Sequence, residues 1–221
     1  MQLLIANKNY SSWSMRPWLV LKAFNLPFDE VMIAFSDEPY AGEFKQKVLA
    51  VNPNGKVPVL LDHEQMVWDS LAICEYLAEK FPQHALWPAD LALRVRARCI
   101  SAEMHSGFMS LRSQCGMNIH ADLKALGAKL WAEDESLRKD VARIEQIWTA
   151  RPRLDGFLCG EFSIADAFYA PVVMRLNTYG LPVSDSAQRY MALMMAHPAV
   201  QQWMQEAVAE PMRVAYLEAN P

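Results

Sequence analysis

No two cysteines in this chain form a Cys-x-x-Cys pair. The four present, Cys74, Cys99, Cys115 and Cys159, are scattered, which argues against a disulfide frame and predicts free thiols in a reducing compartment. Cys74 stands among Leu71, Ile73 and Leu77 and reads as a small core residue. No apolar run reaches the ~18 residues that a membrane-spanning helix needs. The stretch Met1 to Ala6 is too short and uncharged for a signal peptide. A basic block is also missing: 21 Lys and Arg against 25 Asp and Glu give a net charge of −4, which argues against nucleic acid or an anionic membrane as the main partner. No internal repeat or low-complexity tract interrupts the chain. What remains is an ordinary globular composition, 52% hydrophobic and 21% charged over 221 residues, enough for one large domain or two small ones. A soluble, cytoplasmic protein is the expectation.

The hydrophobic pattern changes character part-way along. Gln2 to Ala6 and Phe28 to Ala34 read as strands, with a helix over Ser14 to Asn25 between them and Pro17 near its start. A short helix over Tyr40 to Ala50 follows. Val57 to Leu61 and Met66 to Trp68 form a hairpin around Asp62-His63-Glu64, and Asp69 to Phe81 is a helix with Ile73, Tyr76 and Leu77 on one face. The resulting order, βαβαββα, is a thioredoxin-like α/β arrangement. Phe81 to Pro88 carries two prolines and reads as a linker. Beyond it helices are predicted at Ala89 to Gly116, Ala121 to Ala150, Ser163 to Tyr179, Ser186 to Ala196 and Pro198 to Ala209, an all-helical unit. The expected division is therefore 1–81 and 89–221, joined by 82–88.

The most informative stretch is Asn54-Gly55-Lys56-Val57-Pro58-Val59-Leu60, followed by Trp68-Asp69-Ser70-Leu71. Proline cannot donate a ladder hydrogen bond, so Pro58 marks an edge, a bulge or a cis turn. Asp69 and Ser70 stand where a helix begins, and both residue types satisfy free N–H groups there. Taken together, in this order and setting, Val57-Pro58 and Asp69-Ser70 resemble the glutathione-binding half of the cytosolic glutathione transferases. The resemblance implies a cis Pro58, backbone pairing of Val57 with the cysteinyl unit of glutathione, and Asp69 and Ser70 at its γ-glutamyl end. Lys56 suits the glycyl carboxylate. It further implies a homodimer, glutathione as co-substrate and no metal.

The loop Asn9-Tyr10-Ser11-Ser12-Trp13-Ser14-Met15-Arg16 lies between the first strand and the first helix, where thioredoxin-like folds carry their reactive centre. Ser11 and Ser14 form Ser-x-x-Ser in place of Cys-x-x-Cys, so thiol–disulfide exchange by this loop is disfavoured. Serines before an apolar helix also serve as caps. The run Ser-Ser-Trp-Ser resembles the Ser-Ser-Cys-Ser of the zeta class, which points to Ser11 as the sulfur partner; alignment on other serine-type classes points to Ser12, and both remain candidates. A hydroxyl donor at ~1.5–3 kcal/mol and a helix N-terminus at ~0.3–1 kcal/mol suffice to lower a thiol pKa of ~8.5 by two units, which requires about 2.7 kcal/mol.

For the electrophile, the family likeness places the pocket between this loop and the first long helix of the second unit. Tyr10 and Trp13 on one side and Met104, His105, Phe108 and Arg112 on the other are the candidates, with Met104, Phe108 and Arg112 sharing a face at helical spacing. The leading expectation is conjugation of the glutathione thiolate to small electrophiles. Two alternatives are a zeta-type maleylacetoacetate isomerase and a non-catalytic glutathione-binding module. Zeta proteins use an arginine for a substrate carboxylate at the position of Thr178 here, and Arg175 lies one turn earlier. Ser163-x-x-Asp166 is a capping-box pattern of structural significance.

Overall fold

A computed structural model describes residues 1–36 and 42–218. It opens with β1 (Gln2–Ile5), α1 (Ser12–Ala23), β2 (Asp29–Met32), α2 (Glu43–Leu49), β3 (Val59–Asp62), β4 (Gln65–Val67) and α3 (Ser70–Lys80). Tyr40 and Ala41, where the sequence predicts the start of the second helix, lie outside the described residues. The strands form one sheet in the order β2-β1-β3-β4. β1 runs parallel to β2, with Leu4 opposite Val31, and antiparallel to β3, with Leu3 opposite Leu60.

β1 is apolar at successive positions because both of its faces are covered. Side chains alternate along a strand. Leu3 and Ile5 therefore join the core with Trp18, Leu60 and Ile73, while Leu4 and Ala6 join Phe44, Val48 and Val59 under α2. The first of these two cores does not stop at the sheet. It continues from α1 into the helical unit, where Phe168 and Tyr169 of α8 (Ile164–Tyr179) belong to it. Every residue of α8 except Asn177 is buried, as expected of a helix that is apolar all round and central.

The other helices of this unit are α4 (Leu91–Ser106), α5 (Met109–Gln114), α6 (Lys124–Glu133), α7 (Glu135–Thr149), α9 (Asp185–Ala196), α10 (Pro198–Ala209) and α11 (Ala215–Glu218). Two long helices predicted from periodicity are each broken. The predicted Ala89 to Gly116 helix divides at Gly107 and Phe108. Phe108 takes a left-handed φ of 58°. A side chain at Gly107 would have its Cβ 2.8 Å from the Glu103 carbonyl oxygen. The predicted Ala121 to Ala150 helix divides at Asp134, whose Oδ1 accepts from the Leu137 N–H at 2.9 Å and so starts α7. α1 begins at Ser12, two residues before the predicted start, which places Pro17 inside the helix.

The two units are locked by buried polar contacts as well as by apolar packing. The Lys8 ammonium, almost fully buried, pairs with Glu30 at 2.6 Å and with Glu206, and lies 5.1 Å from the Trp18 ring and 5.7 Å from that of Trp203. Within the helical unit, Asp166, fully buried in the first turn of α8, accepts from Ser163 N, Ser163 Oγ, Leu158 N and Tyr190 Oη at 2.9–3.1 Å.

Candidate functional site

The loop after β1 is held from the helical unit. Glu210 spans two of its amides, accepting from Lys8 N at 2.6 Å and from Asn9 N at 3.3 Å. Asn9 Nδ2 donates to Asn118 Oδ1 at 2.9 Å, and Asn9 Oδ1 accepts from His120 N at 2.9 Å. Trp203 Nε1 donates to the Lys8 carbonyl at 3.0 Å. None of these partners is near in sequence. They fix the backbone just ahead of the serines, as a reactive loop requires.

Ser11 occupies the N-cap position of α1, yet its side chain makes no capping hydrogen bond. Its hydroxyl meets that of Ser14 at 2.7 Å, and Ser14 Oγ accepts from Ala6 N at 3.3 Å. Ser12 Oγ accepts from Arg175 Nη2 at 3.1 Å. Capping, the plain reading of these serines, is not what the Ser11 side chain does. Both hydroxyls line a cavity of about 200 Å³ together with Tyr10, Trp13, Phe44 and Val57.

A neighbouring cavity of about 320 Å³ shares Trp13, Lys56 and Val57 with the first and extends past Pro58 to Trp68, Asp69 and Ser70. The Val57–Pro58 peptide is cis, as the resemblance implies. Val57 precedes β3 and so stands outside the strand ladder. The loop before it is built by Asn52, whose Nδ2 donates to Asn54 Oδ1 at 2.7 Å and to the Lys56 carbonyl at 2.9 Å. Gly55, at φ 64°, lies where a side chain would meet Lys45. Sequence reasoning misses these shaping residues, and Asn54 and Trp68 in the cavity wall, although Asn52-Pro53-Asn54-Gly55 carries a strong turn signal.

Asp69 and Ser70 divide their tasks. Asp69 Oδ1 caps α3 by accepting from Leu71 N at 2.8 Å, and Oδ2 lies 3.2 Å from His105 Nε2. Ser70 lines the larger cavity, and its Oγ is buried with no hydrogen-bond partner among the described residues. A buried hydroxyl without a partner is unfavourable unless something supplies one, and this one lies beside the amides at a helix start, a setting suited to a carboxylate. Lys56 is exposed at the same rim.

The electrophile-side candidates separate into two groups. Met104 and Phe108 are buried in the main core, and neither they nor His105 and Arg112 line either of these two cavities. The shared face depends on one continuous helix, and α4 ends at Ser106. Tyr10 lines the smaller cavity, but its hydroxyl is turned away, bonded to Glu218 and accepting from Val214 N at 3.3 Å. Trp13, His105 and Arg112 do come together. The Trp13 and His105 rings meet edge to face at 5.3 Å, and the Arg112 guanidinium lies 4.4 Å from the Trp13 ring centre. Burial lowers the His105 pKa, and the Asp69 carboxylate opposes that shift. Thr178 is committed to Asn118, donating to its carbonyl at 3.0 Å.

Comparison with known proteins agrees with this geometry. The family model for the N-terminal domain of glutathione S-transferases matches residues 10–80, and that for their C-terminal domain matches residues 114–206. The chain belongs to the glutathione S-transferase family. Glutathione S-transferase T1 of Arabidopsis thaliana is 31% identical over 83% of this chain and 74% of its own length. Maleylacetoacetate isomerase of Pseudomonas aeruginosa is 27% identical over 91% of this chain and 97% of its own. Among solved structures, a glutathione transferase homolog from Burkholderia with bound glutathione superposes with a TM-score of 0.69 at 25% identity, covering 93% of this chain and 97% of that one.

Proposed function

We propose that this chain is a serine-type transferase that binds glutathione along Lys56, Val57 and Pro58 and at Asp69 and Ser70, and joins its sulfur to small electrophiles. The observation that carries the reading is the pair of adjoining cavities. One ends at the unpartnered Ser70 hydroxyl and the other at Ser11 and Ser12, and Val57 borders both. A tripeptide with a carboxylate at each end and a thiol between them suits such a path. In the reaction the thiolate's electron pair forms the new sulfur–carbon bond. The leaving group departs with its own pair or, at an activated double bond, the π electrons shift and a proton follows.

Asp69 suits the γ-glutamyl ammonium, Ser70 and the α3 amides suit the γ-glutamyl carboxylate, and Lys56 suits the glycyl end. Either serine can serve the sulfur. Ser11 donates its hydroxyl to Ser14 Oγ at 2.7 Å, and the same O–H would turn to a bound thiolate. Ser12 accepts from a guanidinium and keeps its own proton to give. The domain boundary is placed at 82–88 in this reading. The zeta-type isomerase reading is supported by likeness to the Pseudomonas protein, whereas Thr178 stands where that class has arginine.

Calorimetry with glutathione tests the assignment. Asp69→Asn keeps an acceptor for Leu71 N while removing the charge, so the helix cap survives. The dissociation constant should rise about tenfold, equivalent to ~1.4 kcal/mol; unchanged affinity would remove Asp69 from the site. Glutathione binding without turnover of any electrophile would favour the non-catalytic module. The exposed Leu91 and Val95, one turn apart on α4, support pairing of two copies. Light scattering at micromolar concentration should give twice the chain mass, and a monomer would end that part of the reading.

A further inference from the structure

The serine loop divides its amides between two partners. Tyr10 N and Ser11 N both donate to the Asn7 carbonyl, at 3.1 and 2.8 Å, and so form the turn itself. Lys8 N and Asn9 N go instead to the single carboxylate of Glu210, at the C-terminal end of α10. Neighbouring amides that converge on one anion make an oriented grip. From Glu210 the chain turns back over the loop. Val214 is fully buried, and its N–H donates to the Tyr10 hydroxyl at 3.3 Å. That hydroxyl donates in turn to Glu218 of α11, whose other oxygen accepts from Asn118 Nδ2 at 3.2 Å. Asn118 closes the circuit through its bond to Asn9.

These contacts fall on three consecutive residues, Lys8, Asn9 and Tyr10, immediately ahead of Ser11 and Ser12. Two carboxylates on one short segment are both directed at this loop, and hydrogen bonds to a charged acceptor are among the strong ones. Burial, with the Glu218 carboxylate beside it, holds the Tyr10 phenol above its ordinary value, so it stays a donor. Among the described residues, none of 210–218 lines either cavity. The segment therefore covers neither the glutathione path nor the space beside the serines; it acts on the backbone that carries them. A hydrogen bond weakens steeply as donor and acceptor lose alignment. A serine loop free to drift would present its hydroxyl to the sulfur only part of the time.

We infer that the segment from Glu210 to Glu218 is a strap that positions the serine loop for the sulfur, with Glu210 and the Tyr10–Glu218 pair as its positioning residues. The inference rests on the glutathione-transfer reading and deepens it, since activation of the thiol then depends on residues that follow the last long helix. Glu210 sets the backbone at Lys8 and Asn9. The Tyr10 hydroxyl, shared between Val214 and Glu218, fixes the residue beside Ser11. The proposed glutathione contacts at Lys56, Asp69 and Ser70 lie on other elements, so the strap governs ionisation and turnover rather than affinity.

The test follows the thiolate ultraviolet absorbance of the glutathione complex against pH, with calorimetric affinity and turnover of 1-chloro-2,4-dinitrobenzene beside it. In that reaction the sulfur–carbon bond forms as chloride leaves with the carbon–chlorine pair. Tyr10→Phe removes one hydroxyl and keeps the ring in the cavity wall. It should raise the pKa of the bound thiol by about half a unit or more, roughly threefold in the ionisation constant. Turnover near neutral pH should fall in step, while the glutathione dissociation constant stays within about twofold of the wild type. Glu218→Ala should act alike, and the double variant should move the titration no further than the larger single change, because both residues act through one contact. Glu210→Ala should shift it as well, and Glu210→Gln, which keeps an acceptor oxygen, should recover part. A strap that serves stability alone would lower the melting temperature and leave the titration of the folded complex unmoved. An unmoved titration in folded Tyr10→Phe overturns the inference, and that variant decides the matter if Glu210→Ala does not fold. A wild-type complex that ionises no lower than free glutathione overturns the thiol-activation reading together with the strap. A lowered wild-type pKa that Tyr10→Phe leaves in place overturns the strap alone.

Discussion

Glutathione bound to Ser11→Ala or Ser12→Ala, whichever removes the sulfur's donor, should ionise about one to two units higher than in the wild type, a loss of ~1.4–2.7 kcal/mol in differential stabilisation. The thiolate ultraviolet absorbance of the complex, followed against pH, gives this directly. If the wild-type complex ionises near ~6.5, about two units below free thiol, the thiolate fraction at pH 7 falls about 3-fold for a one-unit rise and about 25-fold for two. Turnover should fall by the same factors. The sign follows from the charge: the donor favours the anion, so the loss is greatest below the variant's pKa and recovers as pH rises through it. Glutathione affinity should change little, because the contacts at both ends of the tripeptide remain. The two serines give different secondary effects. Ser11→Ala takes the partner of Ser14, while Ser12→Ala leaves an Arg175 N–H without its acceptor. If neither variant moves the titration, the serines do not activate the thiol, and the α1 N-terminus or another group must.

Asp166→Ala should destabilise the fold by about 3 kcal/mol, well beyond the ~0.5–2 kcal/mol that loss of a helix cap alone is worth. The carboxylate takes four donors, from Ser163 twice, from Leu158 and from Tyr190, and each buried donor left unpaired costs ~1–3 kcal/mol before relaxation. In a chain of this size ~1 kcal/mol moves the thermal midpoint by roughly 2–4 °C, so a fall of about 6–12 °C is expected in a melting experiment. Asp166→Asn retains an acceptor oxygen and should lie between. A fall no larger than that of a surface cap would show that Tyr190 and Leu158 find other partners. Loss of stability with normal glutathione binding in the folded fraction would mark the residue as structural.

The thioredoxin-like order of strands and helices is legible because its signals are local. β1 is apolar from Leu3 to Ile5, Pro58 and Asp69-Ser70 are punctuation that acts within a few residues, and the helical unit shows periodicity over long runs. The same reliance on local signals explains the failures. Gly107 and Phe108 break a run whose periodicity continues across them, because the break depends on the left-handed turn at Phe108 and the close Glu103 carbonyl. With it goes the shared face of Met104, Phe108 and Arg112, and the first two become core. Asp134, by contrast, is a readable cap. The Ser163–Asp166 pair is legible as a local motif, and its reach to Tyr190 is not, because Tyr190 belongs to a different helix.

By itself, then, the sequence determined the elements and the chemistry available at their ends: serines ahead of α1, a proline-marked edge at Val57, an acid and a serine at the start of α3. Only the tertiary structure decided which of these act together. It turned the Ser11 hydroxyl away from capping, left Ser70 Oγ buried with no partner among the described residues, and bent Tyr10 toward Glu218. It also brought Arg16, Arg112 and Arg175 together around Trp13 and Ser12 from three separate helices. The physical reason is range. Propensity and periodicity act over a few residues, whereas burial and electrostatics act between groups that are neighbours only after the chain has folded.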